Sequence, residues 1–488
     1  MLETLKGLGR HSLVYGLGAL ASKLLAFVLL PVYTRYLTPD DYGVVALLTT
    51  TGAVAALVAE LGLGSALFWS VIYRGEDERR AAGSALVLLV GQGVLLFGGL
   101  AIVAGPLAGL IFGTAAGYAG LLRLVFLTGL LGLVDIVFLA LLRIRERAGT
   151  YAAAAIGRFA LGALLNVLFI VVLRRGVEGL VVAGLLTAAI AAGVELVVLA
   201  RAVGLAFDRQ LVRRMLGFGA PLMPANVAGV ALTSADRYFL QAFDSAAAVG
   251  IYAIGYSIGM AMNLAVQAVQ LAWPAQMFAI AKRDDAERQL GRLLTHFLVV
   301  FGFAWLVLSV YAREIVVVMT TPRYYEAAAV VPLVTLAYVF YGVRMITNTG
   351  LMTRNRTSAV TPLVLAATAL NLALNVLLIP RFGILGAASA TALSYGALMA
   401  LSLAANQAVW RIDYEPGRLA RIVAVCAALY LASLAVPAST LWLSFALKTG
   451  LLATYPLLLA ATGFFTPAER ELIGRAAGGA LRRIRRGG

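Results

Sequence analysis

Long apolar stretches recur along almost the whole chain, and they constrain its fold more than any other feature of the sequence. About fourteen such stretches, each of about 18 residues or more, lie between Ser12 and Phe465 and are separated by short loops. A helix of that length crosses the roughly 30 Å hydrocarbon core of a bilayer, because it rises about 1.5 Å per residue. The sequence therefore predicts an all-α polytopic membrane protein.

Composition supports this fold class and leaves no room for a soluble catalytic domain. Of the 488 residues, 62% are hydrophobic and 13% are charged, and no segment outside the apolar stretches is long enough to bury a core of its own. Cys426 is the sole cysteine, which excludes an internal disulfide. We place the spans at residues 12–34, 42–63, 82–104, 119–141, 151–173, 180–202, 216–239, 247–273, 293–317, 327–350, 358–380, 384–409, 419–436 and 440–463.

The basic residues predict the orientation of these spans, because short loops rich in Lys and Arg stay on the cytoplasmic side. With both termini cytoplasmic, that side holds most of the 39 basic residues. The net charge of +16 is therefore a topology signal with an added attraction to anionic lipid, and it does not indicate nucleic-acid binding. The cytoplasmic loops carry Arg74, Arg79, Arg80, Arg143, Arg145, Arg147, Arg209, Arg213, Arg214, Lys282, Arg283, Arg288 and Arg292.

Three short patterns recur, in order, at a distance of about two hundred residues. They are Thr34–Leu37 with Asp41–Gly43, which recurs as Asp236–Leu240 with Gly250–Tyr252; Arg145–Arg147, which recurs as Arg354–Arg356; and Asn166, Gly176 and Gly179, which recur as Asn375, Gly383 and Gly386. Each falls at corresponding spans and on the same membrane side. The patterns predict an internal repeat of six spans.

The repeat divides the chain into an N-lobe of six spans (residues 1–202) and a C-lobe of six spans (203–410). Spans thirteen and fourteen (411–465) and a basic amphipathic tail (466–488) follow. Because six is even, the two lobes share one orientation and are related by an axis along the membrane normal, as in carriers that open on alternate sides. The tail suits a helix lying on the inner leaflet, and recruitment of a protein partner is its alternative role.

Several segments resemble a known family over nearly the whole chain: the polysaccharide or O-antigen flippases, a branch of the multidrug, oligosaccharidyl-lipid and polysaccharide exporter superfamily. The segments that carry the resemblance are Leu30–Gly43, Glu60–Ala66, Asp236–Leu240 with Val249–Tyr252, and Asn371–Pro380 with Gly383–Ala388.

The resemblance implies an alternating-access carrier that flips a polyprenyl-pyrophosphate-linked oligosaccharide (an O-antigen, capsule or exopolysaccharide repeat unit) to the outer leaflet of the cytoplasmic membrane. It implies no covalent chemistry and no cofactor. The implied partners are the lipid-linked oligosaccharide, membrane lipids and polysaccharide assembly enzymes, and one subunit suffices to form the path. A multidrug exporter and a peptidoglycan-precursor flippase of the same superfamily are the alternatives, and the arginine-rich opening expected of the latter is not found.

Ionisable side chains inside spans are the candidate site residues, because each costs about 2.5 to 3.5 kcal/mol near the bilayer centre and needs a compensating role. Counting from loop midpoints places Asp135, Arg158 and Glu195 at a similar depth on neighbouring spans of the N-lobe. These three residues either form a structural cluster that satisfies itself or take part in substrate binding or ion coupling.

Two basic residues are candidates for binding the anionic linker of the substrate. Arg344 occupies the repeat position of Asp135, and the residue at its depth on the next span is near Ala367, so it has no obvious ionic partner. It could bind the pyrophosphate through its guanidinium fork, pair with an acid across the cleft, or extend to the membrane surface. Lys23 lies near the middle of the first span, where it would act as a mobile charge on phosphate.

The remaining candidates are gate residues and amides. Arg35 is predicted to pair with Asp236, and Arg237 with Asp40 or Asp41, closing the outer side of the cleft; ordinary helix-end charges facing water are the alternative. Further candidates are Glu60 as an interfacial charge or inner-gate acid, and Asn263 and Gln267 as hydrogen-bonding partners of sugar hydroxyls.

Energy coupling can be bounded from charge alone. A linker with about two negative charges gains roughly 4.6 kcal/mol per 100 mV when it leaves an inside-negative cell. Coupling to a Na⁺ or H⁺ gradient through Asp135, Glu195 or Glu60 stays open. An enzyme is not indicated, because the sequence has no glycine-rich phosphate loop and no metal-ligand cluster, and the only two histidines are far apart.

Overall fold

The structure is a computed structural model that describes residues 29–204, 206–354, 356–437, 441–467 and 469. Every regular element within these residues is helical. Residues 29–36 form a short helical segment. The α-helices that follow are α1 (Pro39–Glu60), α2 (Leu63–Phe68), α3 (Glu78–Ile102), α4 (Ala104–Phe112), α5 (Tyr118–Ile144), α6 (Ala148–Val167), α7 (Gly176–Ala202), α8 (Arg209–Gly219), α9 (Met223–Ser234), α10 (Asp236–Phe243), α11 (Ala246–Gly259), α12 (Ala261–Ile280), α13 (Ala286–Val310), α14 (Ala312–Met319), α15 (Val331–Thr347), α16 (Thr349–Thr353), α17 (Val360–Val409), α18 (Pro416–Leu434), α19 (Leu441–Ala453) and α20 (Tyr455–Ala461).

Shorter elements join some of these helices. The π-helical turns Trp69–Tyr73 and Leu168–Val172 continue α2 and α6, and 3₁₀ segments lie at Ala220–Leu222, Pro322–Ala329 and Thr357–Ala359.

The described residues contain eleven helices that are long and apolar enough to cross a membrane, or up to twelve if the bent pair Pro322–Ala329 and Val331–Thr353 is one span. The longest helix, α17, has non-helical backbone angles at Gly383 (φ 51°, ψ −127°) and covers two of the predicted spans, 358–380 and 384–409. Most of the first predicted span lies outside the described residues. The all-helical polytopic fold is confirmed, whereas the count of fourteen spans is not.

Local sequence sets where α1 begins and ends. Thr38 and Asp41 form a reciprocal capping box around Pro39, which occupies the first turn. At the other end, Leu61 and Gly62 have positive φ values of 48° and 68°, which ends α1, and α2 starts at Leu63. The helix is therefore interrupted at the end of the predicted span 42–63, and Pro39–Tyr73 as a whole is one candidate span.

Two large hydrophobic clusters form the interior of the protein. The first draws on residues 44–215, and the second mainly on residues 240–412. Helix α8 packs in the first cluster through Leu211, Val212 and Met215, although its residues fall in the predicted C-lobe. Helix α9, on the far side of the 3₁₀ turn Ala220–Leu222, packs mainly on α17 and also contacts α1. The seventh span thus contacts both halves, while the lobe boundary at residue 202 stays a prediction.

The two halves meet most closely where α1 crosses α11. A Cβ atom at Gly43 would lie 1.8 Å from the carbonyl oxygen of Ala246, and one at Gly250 would lie 1.9 Å from the carbonyl oxygen of Pro39. In each helix the glycine is four residues after the carbonyl that faces the other glycine, so the contact is reciprocal. This geometry is that of a local twofold axis and agrees with the predicted internal repeat.

Charged residues near the basic loops occupy corresponding positions in the two halves of the sequence. Arg145 donates to Glu78 through Nε (2.8 Å) and Nη2 (2.6 Å). Arg354 and Glu287 occupy the corresponding positions in the second half, and both contact Trp410. Arg354 lies over the Trp410 ring at 5.1 Å, and the ring nitrogen donates to Glu287. We call this side of the molecule, where the loops with Arg74, Arg145 and Arg209 lie, the basic end.

The last spans are joined to the second half by buried charges. The Lys448 ammonium donates to both oxygens of Glu314, at 2.7 and 2.9 Å, and the Ser444 hydroxyl donates to one of them. At the basic end, Arg418 donates to Glu415 and to both oxygens of Glu469. An ion pair therefore joins α19 to α14 of the second half, while Arg418 joins the start of α18 to the residue that follows α20, Glu469.

Candidate functional site

Three charged residues of the first half come together as expected from their predicted depth. The Nη1 atom of Arg158, on α6, lies 2.7 Å from Oδ2 of Asp135, on α5. Glu195, on α7, lies beside Asp135 and Arg158 and has one carboxyl oxygen that is buried without a partner. Glu195 is 6% exposed, whereas the side chains of Arg158 and Asp135 are 32% and 24% exposed. The cluster therefore holds two acids against one base.

Arg344 occupies the corresponding place in the second half. Its Nε atom lies 3.3 Å from the Ser402 hydroxyl, and Tyr341 and Tyr395 lie nearby. Ser402, on α17, follows Glu195 at nearly the same distance along the chain as Arg344 follows Asp135. In the predicted repeat, Ser402 therefore corresponds to Glu195. Within the described part of the chain, no acid lies within 4 Å of the Arg344 guanidinium. The half-buried Arg344 is thus a cation without an ionic partner among those residues.

The predicted ion pairs of the outer gate are not formed in this structure. Asp236 is 1% exposed and accepts from Tyr252 and Thr391, and its own neighbour Arg237 lies 3.4 Å away. The expected pairing of Asp236 with Arg35 is wrong for this conformation, because Asp236 faces the interior of the second half while Arg35 is exposed.

Arg237 and its predicted acidic partners are engaged elsewhere. Asp41 accepts from the Thr38 hydroxyl in the capping box, and Asp40 is exposed. The Arg237 guanidinium lies 4.9 Å above the Tyr256 ring and donates to the Thr233 carbonyl. The pairing of Arg237 with Asp40 or Asp41 is therefore also absent from this structure.

A cluster of tyrosines connects Arg237 with the surroundings of Arg344, and the sequence analysis missed it. Ring–ring contacts link its members across α11, α15 and α17. The members are Tyr252, Tyr256, Tyr338, Tyr341 and Tyr395. The hydroxyls of Tyr256 and Tyr338 are 3.1 Å apart. The signal available in the sequence is the spacing of the tyrosines by three or four residues within α11 and α15, which places them on one helix face.

Glu60 caps a helix and does not meet a base within ion-pair distance among the described residues. Its carboxylate accepts from the backbone N–H of Gly64, in the first turn of α2. The break that it supports lies against α8, where Gly62 and Gly219 are in close backbone contact. Trp69 and Phe218 stack at 4.8 Å beside this contact. The first half and the seventh span are therefore closed against each other near the basic end.

The remaining predicted residues are placed as follows. Asn263 and Gln267 lie one turn apart on α12, and both are half-buried. Lys23 lies outside the described residues.

A cavity of about 620 Å³ lies between the two halves, towards the end opposite to the basic loops. Its lining is mostly apolar and comes from α1, α4 and α10. Thr51 and Tyr238 hydrogen-bond across it at 2.8 Å, and the Gln241 side-chain oxygen is buried there without a partner. The described residues contain no group of three His, Cys, Asp or Glu side chains that could hold a metal ion.

Charged residues outside the spans stabilise the basic end. Burial opposes ionisation of Glu469, but the backbone N–H of Thr466 and the Arg418 guanidinium outweigh it and lower the pKa of this carboxyl. The backbone N–H groups of Leu211 and Gln210 lower the pKa of Asp208, which caps α8. Both carboxylates are therefore ionised at neutral pH, where Asp208 caps α8 and Glu469 pairs with Arg418.

Comparison with known protein families and solved structures shows what this chain is similar to. A profile of the family described as "Polysaccharide biosynthesis protein" matches residues 8–273. No curated protein sequence matches the chain. Among solved structures, the lipid II flippase MurJ in an inward closed conformation is similar with a TM-score of 0.74 and 12% sequence identity, over 94% of this chain and 100% of that chain.

Two multidrug transporters are also similar in structure. One is an inward-facing MATE family transporter of the MOP superfamily, with a TM-score of 0.61 and 15% identity over 85% of this chain and 96% of that chain. The other is a mutant of the Vibrio cholerae MATE transporter VcmN, with a TM-score of 0.53 and 18% identity over 83% and 96% of the two chains. At these identities the likeness shows the fold alone.

Proposed function

We propose a function for this chain from one premise: it belongs to the polysaccharide biosynthesis protein family. It is a multi-pass membrane protein with the fold of the MOP-superfamily transporters. Our proposal is that it flips a polyprenyl-pyrophosphate-linked oligosaccharide from the cytoplasmic to the outer leaflet of the inner membrane. It does so as a carrier without covalent chemistry, with the basic end in the cytoplasm.

Arg344 is the observation that carries the substrate class. It is a half-buried cation inside a span, and no acid among the described residues neutralises it. A charge in that position is costly unless it has a partner or a ligand. A guanidinium binds phosphate oxygens through two parallel hydrogen bonds, so a pyrophosphate is a suitable ligand. Ser402, in contact with Arg344, would add a donor for the same ligand.

The contacts between the two halves support alternating access. At the end opposite to the basic loops, Gly43 and Gly250 bring α1 and α11 into backbone contact, which closes that side. Near the basic end, α8 packs against α2 and α3 of the first half, and α8 is separated from α9 by a 3₁₀ turn containing Pro221. A break of this kind lets one part of a span move while the other stays packed. Opening towards the basic end would then require α8 to separate from α2.

The membrane potential is a sufficient driving force for such a cycle. Movement of about two negative charges out of an inside-negative cell releases roughly 4.6 kcal/mol per 100 mV. The lipid tail would remain in the bilayer while the sugar and linker cross through the cleft.

The direct test is leaflet translocation in proteoliposomes containing the purified protein. Three substrates are compared: a polyprenyl-pyrophosphate oligosaccharide, a peptidoglycan lipid precursor and a cationic drug. We expect the first to be flipped, with slower flipping in Arg344→Ala and an unchanged rate in Arg292→Ala, which removes an exposed arginine at the basic end. Export of the drug alone would instead support a multidrug exporter, which the similarity to MATE transporters makes the second candidate.

A further inference from the structure

A second cavity, of about 460 Å³, lies in the second half at the basic end. It is bounded by α13, α15 and α17 and by residues 411–416, which lead into α18. Its volume falls within the range of about 300 to 1,000 Å³ that is typical of small-molecule sites. One wall is apolar and consists of Leu294, Val343, Met399 and Leu403.

The opposite wall carries polar groups that have no partner among the described residues. Arg411 and Asp413 both line the cavity and are exposed, and neither forms an ion pair there, with each other or with another side chain. The Tyr414 hydroxyl is buried in the same wall without a hydrogen-bond partner. A buried hydroxyl is costly unless it is hydrogen-bonded. The cavity therefore offers a cation, an anion and a hydroxyl that are all free to bind a ligand.

The backbone that carries these three groups is fixed by the surrounding helices. The Gln407 amide donates to the carbonyl of Ile412 at 3.0 Å and accepts from its N–H at 2.7 Å. The Asp413 carbonyl packs so closely on α13 that a Cβ atom added at Gly291 would lie 1.9 Å from it. A wall that is already ordered loses little conformational freedom when a ligand binds. The cavity is therefore a preformed site.

The charges of the cavity indicate the chemical class of its ligand. A phosphate group accepts hydrogen bonds from a guanidinium and from a phenol hydroxyl, which Arg411 and Tyr414 supply. A primary ammonium group donates up to three hydrogen bonds and suits the Asp413 carboxylate. A ligand with negative charge alone, such as a pyrophosphate, would be repelled by Asp413. A zwitterion that contains both a phosphate and an ammonium group matches the two opposite charges.

The position and the apolar wall of the cavity favour a lipid over a soluble compound. Trp410, which directly precedes the polar wall, lies at the basic end under Arg354. Tryptophan and tyrosine are enriched where a membrane protein meets the headgroups of the bilayer. At that level, a phospholipid can place its headgroup against the polar wall and its first methylene groups against the apolar wall.

We propose that this cavity binds a zwitterionic phospholipid whose headgroup combines a phosphate with a primary ammonium group. Arg411 and Tyr414 bind the phosphate, and Asp413 binds the ammonium. The bound lipid ties α13, α15 and α17 together close to Arg344, because Thr347 lines the cavity and donates to the Arg344 carbonyl at 3.2 Å. The proposal does not depend on which substrate the protein transports.

Native mass spectrometry of the full chain, purified in a neutral detergent, tests the site directly. The affinity of the most tightly bound lipid is measured for phosphatidylethanolamine, phosphatidylcholine and phosphatidylglycerol with the same acyl chains. We expect the wild type to bind phosphatidylethanolamine about tenfold more tightly than phosphatidylcholine, since a choline group has no N–H to donate to Asp413. Equal affinity for these two lipids in the wild type would overturn the proposal.

Variants separate the phosphate from the ammonium contact. Arg411→Gln should lower affinity for phosphatidylethanolamine and phosphatidylcholine alike, by about tenfold, and Tyr414→Phe should do so by about 3- to 10-fold. Asp413→Asn should abolish the preference between these two lipids and strengthen binding of phosphatidylglycerol. Arg292→Gln, which alters an exposed arginine at the basic end outside the cavity, should change nothing. An equal loss in Arg411→Gln and Arg292→Gln, or a preference that survives in Asp413→Asn, would contradict the assignment.

Two further measurements exclude a merely structural role and a soluble ligand. Without lipid, Tyr414→Phe should not lower the melting temperature, because it breaks no hydrogen bond among the described residues. Added phosphatidylethanolamine should then raise the melting temperature of the wild type more than that of Tyr414→Phe. Soluble phosphoethanolamine at millimolar concentration should not displace the bound lipid. A lower melting temperature of lipid-free Tyr414→Phe, or displacement by phosphoethanolamine, would overturn the lipid site.

Discussion

Gly43 and Gly250 bring the two halves of this protein into backbone contact, each facing a carbonyl oxygen four residues before the other. The contact joins α1 of the first half to α11 of the second. The contact therefore has local twofold symmetry, as the predicted repeat would require. Closure of the protein on this side therefore depends on two residues without side chains.

Replacement of Gly250 by leucine should impair translocation. The new Cβ atom would lie 1.9 Å from the Pro39 carbonyl oxygen, so α1 and α11 would have to separate. Overpacking of this kind costs about 1 to 3 kcal/mol, which corresponds to about a 5- to 150-fold loss of the closed state. The rate of translocation is compared with that of Gly98→Ala, where an added Cβ meets no atom within 4 Å. Equal rates in both variants would show that this contact is not part of the cycle.

Removal of the Arg344 charge should weaken binding of the substrate more than it affects folding. Charged hydrogen bonds contribute about 1.5 to 3 kcal/mol each, so Arg344→Ala should lower affinity for a soluble pyrophosphate-sugar analogue by about 10- to 100-fold. Arg344→Lys should recover only part of this loss, since an ammonium cannot form the two parallel bonds of a guanidinium. Calorimetric titration provides the measurement. Unchanged affinity in Arg344→Ala would remove Arg344 from the site.

The ion pair between Lys448 and Glu314 should be costly to break on one side only. Lys448→Met leaves a buried, unpaired carboxylate, which costs about 3 to 5 kcal/mol. The double variant with Glu314→Gln removes that charge and should recover most of the stability. Thermal unfolding in detergent measures both. If the double variant is as unstable as Lys448→Met, the loss comes from packing of α19 and not from the unpaired charge.

The contact of Glu469 with Arg418 should make stability depend on pH. The pKa of Glu469 is lowered in the folded protein, so its contribution is fully present above the unfolded pKa of about 4.3 and is lost as pH falls through the folded pKa. The melting temperature of the wild type should exceed that of Glu469→Gln at pH 7, and the difference should shrink on acidification below about pH 4. A difference that is constant with pH would mean that charge is not the source.

The sequence allowed depth in the membrane and position in the predicted repeat to be counted for individual residues. The depth argument brought Asp135, Arg158 and Glu195 together because antiparallel helices joined by short loops keep residues symmetric about the loop at one level. The repeat also paired Asp135 with Arg344, and the structure gives these two residues matching neighbours in Glu195 and Ser402. Depth in the membrane and position in the predicted repeat can both be counted along a single sequence.

Lateral arrangement could not be predicted in the same way. The partners of Asp236 come from α11 and α17, and no loop spacing indicates which helices surround α10. For the same reason the sequence analysis placed Asp236 at an outer gate with Arg35, although it is buried. The packing of α8 against the first half was also missed, because the break at Ala220–Leu222 separates its contacts from those of α9.

The measurement that tests the central claim most directly is the rate of leaflet translocation of a polyprenyl-pyrophosphate oligosaccharide in proteoliposomes under an imposed potential. With the basic end on the negative side, we predict faster flipping as the potential rises, and a slower rate at every potential in Arg344→Ala. A rate in protein-containing vesicles equal to that in protein-free vesicles, at every potential, would contradict the assignment of this chain as a flippase of lipid-linked sugars.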